Sequence, residues 1–163
     1  MPSPRPTLLD YLPPPDRKLV EGFFAAFATA EFELKRLGFI RRGTEDAQAD
    51  WDAFASAIER RFRVGHPRTL ARAWRALTAF PPRKQVVRDG RLGWKSTSRP
   101  SGTSDAAWGL LLVRRIRNNL FHGSKFLLGG SEQFSRDREF VSAAHTVLEV
   151  AMQLARPHRR SAA

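Results

Sequence analysis

Apolar residues recur at helical spacing through five stretches of the chain. Between Asp16 and Gly38 they fall at Leu19, Val20, Phe23, Phe24, Phe27, Leu34 and Leu37. Steps of three and four put them on one stripe of a helix, with Asp16 as its cap and Gly38 as its stop. From Asp46 to about Arg63 the stripe is Trp51, Phe54, Ala55, Ile58 and Phe62. Pro67 suits the first turn of a third helix that ends near Phe80, ahead of Pro81-Pro82. Its inner stripe is Leu70, Trp74 and Leu77, while Arg68, Arg72 and Arg75 fall on another face. Ser104 or Asp105 caps a fourth helix through about Phe121, and Gly123 is placed to stop it. Gly129-Gly130-Ser131 reads as a turn. Ser135 then opens a last helix to about Ala155, with Phe140, Ala144, Val147, Leu148, Ala151 and Leu154 inward.

The helical pattern fails over 81–104. There VVRDGRLGW sets Asp89-Gly90 between Val86-Val87 and Leu92 plus Trp94, which predicts a small β-hairpin on a tight turn. STSRPSGTS follows as a loop. The expected fold is all-α: an antiparallel bundle of about five helices with a small β-hairpin insertion near 81–104. One domain spans 16–156, between a proline-rich arm at 1–15 and a basic tail at 157–163. No internal repeat is visible.

Composition changes this picture in two ways. The 163 residues include no cysteine, which excludes disulfides, thiolate zinc sites and thiol nucleophiles. Neither a signal peptide nor an apolar run of membrane-span length is present, so a soluble cytoplasmic protein with no membrane partner is expected. Secondly, 28 Lys and Arg against 16 Asp and Glu leave a net charge of +12. Such a balance favours a polyanion, usually nucleic acid. Arginine far outnumbers lysine, however, and the chain is Ala-rich, as a GC-rich genome would produce without selection for binding.

Candidate chemistry concentrates in RRIRNNLFHGSKF, residues 114–126. Asn118 and His122 are four apart and share a helix face, joined one turn earlier by Arg114. Arg117 lies five before His122, about 140° round the axis. The two meet through Arg117's long side chain, a distorted last turn, or a second subunit. Histidine exchanges a proton near neutral pH, and arginine grips phosphate oxygens with a planar fork. Together they are close to the minimum for RNA cleavage without a metal: one moves the proton, the other stabilises charge on the phosphate. Asn118 is placed to orient either. The plainer alternative is a histidine that satisfies the last carbonyls of a basic, solvated helix end.

The string Arg117-Asn118 through His122-Gly123 resembles the R-x(4–6)-H motif of HEPN domains, and RNNLFHG is close to the form of many bacterial members. FFAAFATAEFELKRLGF is similar, more loosely, to the first helix of some of them. The resemblance implies a helical bundle over about 16–156 and a metal-independent endoribonuclease of toxin–antitoxin, phage-defence or RNA-targeting CRISPR type. It implies Arg117 and His122 as the catalytic pair, Asn118 as the supporting polar residue, and no cofactor. It further implies a homodimer whose two motifs form one composite cleft, so that Arg117 need not reach its own His122. The products would carry 2′,3′-cyclic phosphate and 5′-hydroxyl ends. Other HEPN domains bind nucleotides or act as dimerisation or partner modules without cleaving. The proline-rich arm and the 81–104 insertion have no counterpart in the family core.

Further residues complete the expected site. Arg114, Arg115 and Lys125 would draw RNA in. Glu31 interrupts the apolar stripe of the first helix and needs a partner, either Lys35 at i+4 or Arg117, which it would hold in place. The insertion carries Arg83, Lys84, Arg88, Arg91, Lys95 and Arg99 against Asp89, with Trp94 among them. Such a segment grips a single strand by phosphate contacts and stacking, or else Trp94 anchors the hairpin on the helices. His145 sits with Glu149 at i+4 or is a surface or half-buried residue, and His66 and His158 lie at a helix junction and in the tail. These make no metal site. Besides RNA, an antitoxin or defence-complex protein is a possible partner. The rivals are a non-catalytic HEPN-like module and a basic helical DNA-binding protein.

Overall fold

A computed structural model describes residues 14–121 and 131–155. The described chain is mostly helical, with α1 (Pro14–Arg36), α2 (Trp51–Ile58), α3 (Arg68–Ala79), β1 (Lys84–Arg88), β2 (Arg91–Lys95), α4 (Asp105–Phe121) and α5 (Ser131–Ala155). None of these helices is long and apolar enough to cross a membrane. The arm through residue 13, the 122–130 connection and the tail from 156 lie outside the described residues.

The expected stripes form the core. Val20, Phe23, Phe27 and Leu34 of α1 are buried, as are Trp51, Phe54, Ala55 and Ile58 of α2, and Leu70, Ala73 and Leu77 of α3. Leu37, expected inward, is 39 % exposed, because α1 has already ended. Its stop is a Schellman turn: the Phe39 amide donates to the Leu34 carbonyl at 2.9 Å and the Gly38 amide to that of Lys35 at 3.1 Å. Gly38 stands at φ +90°, where a side chain would be strained.

Three boundaries differ from expectation. Asp16 does not cap α1, which begins at Pro14. Its carboxylate is buried and accepts from Arg138 of α5, with Nη2 to Oδ2 at 3.2 Å and Nε to Oδ1. That hydrogen bond, and secondarily the charge behind it, raises the Arg138 pKa. The pair ties the start of α1 to α5 across 122 residues of sequence. Second, α2 is much shorter than 46–63. Ala49 is bridged to Ile40, and the Asp50 amide donates to the Phe39 carbonyl at 2.8 Å. Those bonds hold the chain extended until the Asp50 side chain caps α2 by accepting from the Ala53 amide at 2.9 Å. Beyond Ile58 the chain tightens into turns that still bury Phe62. Third, α5 starts at Ser131 instead of Ser135, since Glu132 and Gln133 extend the helix without a breaker.

α5 is the axis of the core and packs against α1, α2, α3 and α4. Phe140, Val141, Ala143, Ala144, Val147, Leu148 and Ala151 are its buried apolar positions. Gly109 lets α4 approach. A Cβ there would stand 3.0 Å from Cζ3 of Trp74 and 3.4 Å from Cγ1 of Val147. Gly109→Val should therefore lower stability by about 1–3 kcal/mol through overpacking, measured by urea unfolding. Unchanged stability would mean that α4 does not approach α3 and α5 this closely.

Candidate functional site at the end of the fourth helix

α4 begins as expected, with the Ser104 hydroxyl accepting from the Ala107 amide at 3.2 Å. It buries Trp108, Leu112, Val113, Ile116 and Leu120. That burial fixes its rotation and so decides where the basic residues point. His122 and Lys125 lie outside the described residues, so the site is built from Arg114 to Phe121.

Arg117 turns toward α1. Its guanidinium carbon stands 5.4 Å from the ring centre of Phe27 and 5.1 Å from that of Phe121. Phe27 is in turn stacked on Trp51 at 5.2 Å, and Phe121 meets Phe24 edge-on at 6.3 Å. Two aromatic faces thus hold the cation. Its Nη1 donates to Oδ1 of the exposed Asn118 at 3.0 Å. No carboxylate pairs with Arg117 among the described residues. Glu31 does not reach it, and Glu31 forms no ion pair with Lys35 either; both expected partnerships are absent from the described contacts. Phe27, one turn before Glu31, lies against the guanidinium instead.

The other basic residues of α4 divide. Arg114 lies 3.8 Å from Asp52 of α2, a loose and largely solvated pair. Arg115 is half-buried, and its Nη1 is shut from solvent with no hydrogen-bond partner. Burial pushes its pKa down. A guanidinium stays charged at any accessible pH, so this burial is a cost to the fold. Arg115 shares its helix face with Leu112 and Asn119, which turns it away from the position expected of an RNA-attracting cation.

Asn119 is the residue that sequence reasoning passed over. It is buried, and its Nδ2 donates to the Arg83 carbonyl at 2.9 Å, tying the root of the hairpin to α4. Of two adjacent asparagines, then, the first faces solvent beside Arg117 and the second is structural. A signal existed: Asn119 follows Leu112 by seven and so falls in the buried stripe. Phe121 was also missed. It is 68 % exposed although apolar, beside Arg117.

The hairpin forms at the expected place, with Asp89 at φ 50° and Gly90 at φ 72° giving a two-residue turn. Trp94 is half-buried and pairs with Gln85. It does not stand among the cations, because residues one apart in a strand point to opposite faces. Elsewhere, His145 lies 3.5 Å from Glu149, as its spacing suggested. A groove of 650 Å³ between α1, α3 and α5, rimmed by Arg68, Arg72 and Arg138, includes no residue of α4. Among the described residues, no group of three His, Asp or Glu stands together to hold a metal ion. No protein-family model matches the chain, and no curated protein or solved structure does.

Two outcomes check this geometry. Asn119→Ala should cost about 1–3 kcal/mol, since the Arg83 carbonyl loses its partner, whereas Asn118→Ala should leave urea unfolding within about 0.5 kcal/mol of the parent. Equal effects would contradict the assigned faces. Arg115→Met should keep or raise the unfolding midpoint, because it removes a buried charge that lacks a partner. A marked loss would point to an ion pair that the described contacts do not contain.

Proposed function

We propose that the protein is a cytoplasmic, homodimeric, HEPN-like endoribonuclease, an antiparallel helical bundle acting without a metal in a toxin–antitoxin or phage-defence setting. One observation carries the reading: Arg117, the first residue of the R-x4-H string, is held in place by aromatic faces and Asn118 while no described carboxylate neutralises it. An arginine kept positioned and charge-uncompensated is suited to a phosphate. The helical fold, the basic charge and the resemblance of RNNLFHG support the same reading.

The 2′-hydroxyl of the RNA attacks the adjacent phosphorus and its proton passes to a base. The P–O5′ bond breaks and the 5′-oxygen takes up a proton. This leaves a 2′,3′-cyclic phosphate and a 5′-hydroxyl. His122 handles a proton in this exchange. Arg117 stabilises the charge that builds on the non-bridging oxygens, and Asn118 orients its fork. Arg114 and Lys125 add attraction for the backbone. In a dimer, Arg117 of one protomer serves with His122 of its partner.

The test is cleavage of labelled single-stranded RNA in excess EDTA. Wild type should cut, and Arg117→Ala and His122→Ala should each lose at least about 100-fold while remaining folded. Arg117→Lys should lose most activity too, because an ammonium cannot replace the planar fork. RNA binding without turnover by wild type, or undiminished cutting by both alanine variants, would leave a non-catalytic binding module instead.

A further inference from the structure

Directly paired residues of an antiparallel ribbon project from one face, and the face alternates along each strand. One face of the hairpin therefore carries Lys84 opposite Lys95, Val86 opposite Gly93, and Arg88 opposite Arg91. The other carries Gln85 opposite Trp94 and Val87 opposite Leu92. Lys84, Arg88, Arg91 and Lys95 are all exposed. None has an ion pair among the described residues. A side chain built at Gly93 would touch only Val86, so the helices do not cover the basic face there.

Folding does not account for this arrangement. Like charges directly opposite one another destabilise a ribbon, and an opposite-charge pair at either position would stabilise it. Both cross-strand cation pairs carry that cost. A local choice that works against the fold marks a surface kept for binding.

We propose that the basic face of the hairpin grips the phosphates of a double-helical RNA stem and so presents the strand next to that stem to Arg117. This rests on the ribonuclease reading for what is cut, and on the ribbon alone for what is bound. The two cation pairs lie four residues apart along the strands, about 13 Å at ~3.3 Å per residue. Cations so spaced reach phosphates of more than one nucleotide of an A-form stem, whose wide, shallow minor groove is read by shape and backbone contacts. A sequence-tolerant grip on a single strand needs aromatic faces among the cations. Here Trp94 is half-buried on the opposite face. The hairpin's root is bonded to Asn119, two residues from Arg117 along α4 and about 200° from it round the axis, so a stem held on the ribbon leaves its flanking strand to pass round α4 to Arg117.

The experiment measures equilibrium binding of a fluorescent RNA stem-loop, and of an oligouridine of equal length, as salt is varied. It uses the full chain with Arg117→Ala, to prevent turnover, with and without Lys84→Gln, Arg88→Gln, Arg91→Gln and Lys95→Gln together. The four changes should weaken stem-loop binding at least about tenfold near 0.15 M salt. They should also flatten the slope of log K against log salt by about 2–4, since each lost phosphate contact is worth ~0.9. Oligouridine should lose less. The quadruple variant should melt no lower than its parent, because repulsion is relieved. If it does melt lower, Arg88→Gln with Arg91→Gln at the exposed tip carries the test, with about half the change in slope. Unchanged stem-loop binding, equal losses on both RNAs, or tighter binding of the equivalent DNA duplex would each overturn the proposal. If wild type cuts no RNA yet the quadruple variant loses the stem, the ribonuclease reading falls and this one stands. If wild type cuts and the quadruple variant holds the stem undiminished, the reverse follows.

Discussion

Burial of α5 on several sides at once is the constraint from which the rest of the structure follows. A helix that packs against four others cannot be amphipathic in the ordinary narrow sense. It needs small side chains wherever two neighbours converge, and Ala143, Ala144 and Ala151 supply them. Gly109 plays the same part from the facing side, closing α4 onto Val147 and Trp74. With that contact made, the rotation of α4 is set, and its C-terminal end carries Arg117 onto Phe27 and Asn119 onto the root of the hairpin.

Charge is distributed unevenly over this frame. Several carboxylates are taken up by nearby arginines: Asp16 by Arg138, Glu33 by Arg36, Asp105 by Arg99 and, loosely, Asp52 by Arg114. These pairs sit on the helices and their junctions. Arg117 and the four cations of the ribbon form no ion pair among the described residues, and neither do Arg68, Arg72 and Arg75 of α3.

Arg115 and Arg117 show how two residues of one basic run come to opposite uses. In sequence they are equivalent members of RRIRNN. On the helix they lie about 200° apart. One is drawn inward with a guanidinium nitrogen that lacks a partner, and the other rests on aromatic faces at the edge of the core.

Local chemistry was legible in the sequence. Helical periodicity located the five helices, Gly38 marked the end of α1, and Asp89-Gly90 fixed a hairpin whose register and two faces follow by counting from a two-residue turn. These features depend on neighbours within a few residues, which the sequence lists directly. Partners distant along the chain were not legible. Asp16 looked like a helix cap until Arg138 took its carboxylate, and Glu31 looked like a support for Arg117 until Phe27 occupied that place. Asn118 stood out as the functional asparagine while Asn119 held the hairpin. Each of these turns on the rotation of one helix against another, which is set by packing around α5. Periodicity within a single helix carries the stripe that is buried and says nothing of what the stripe will meet.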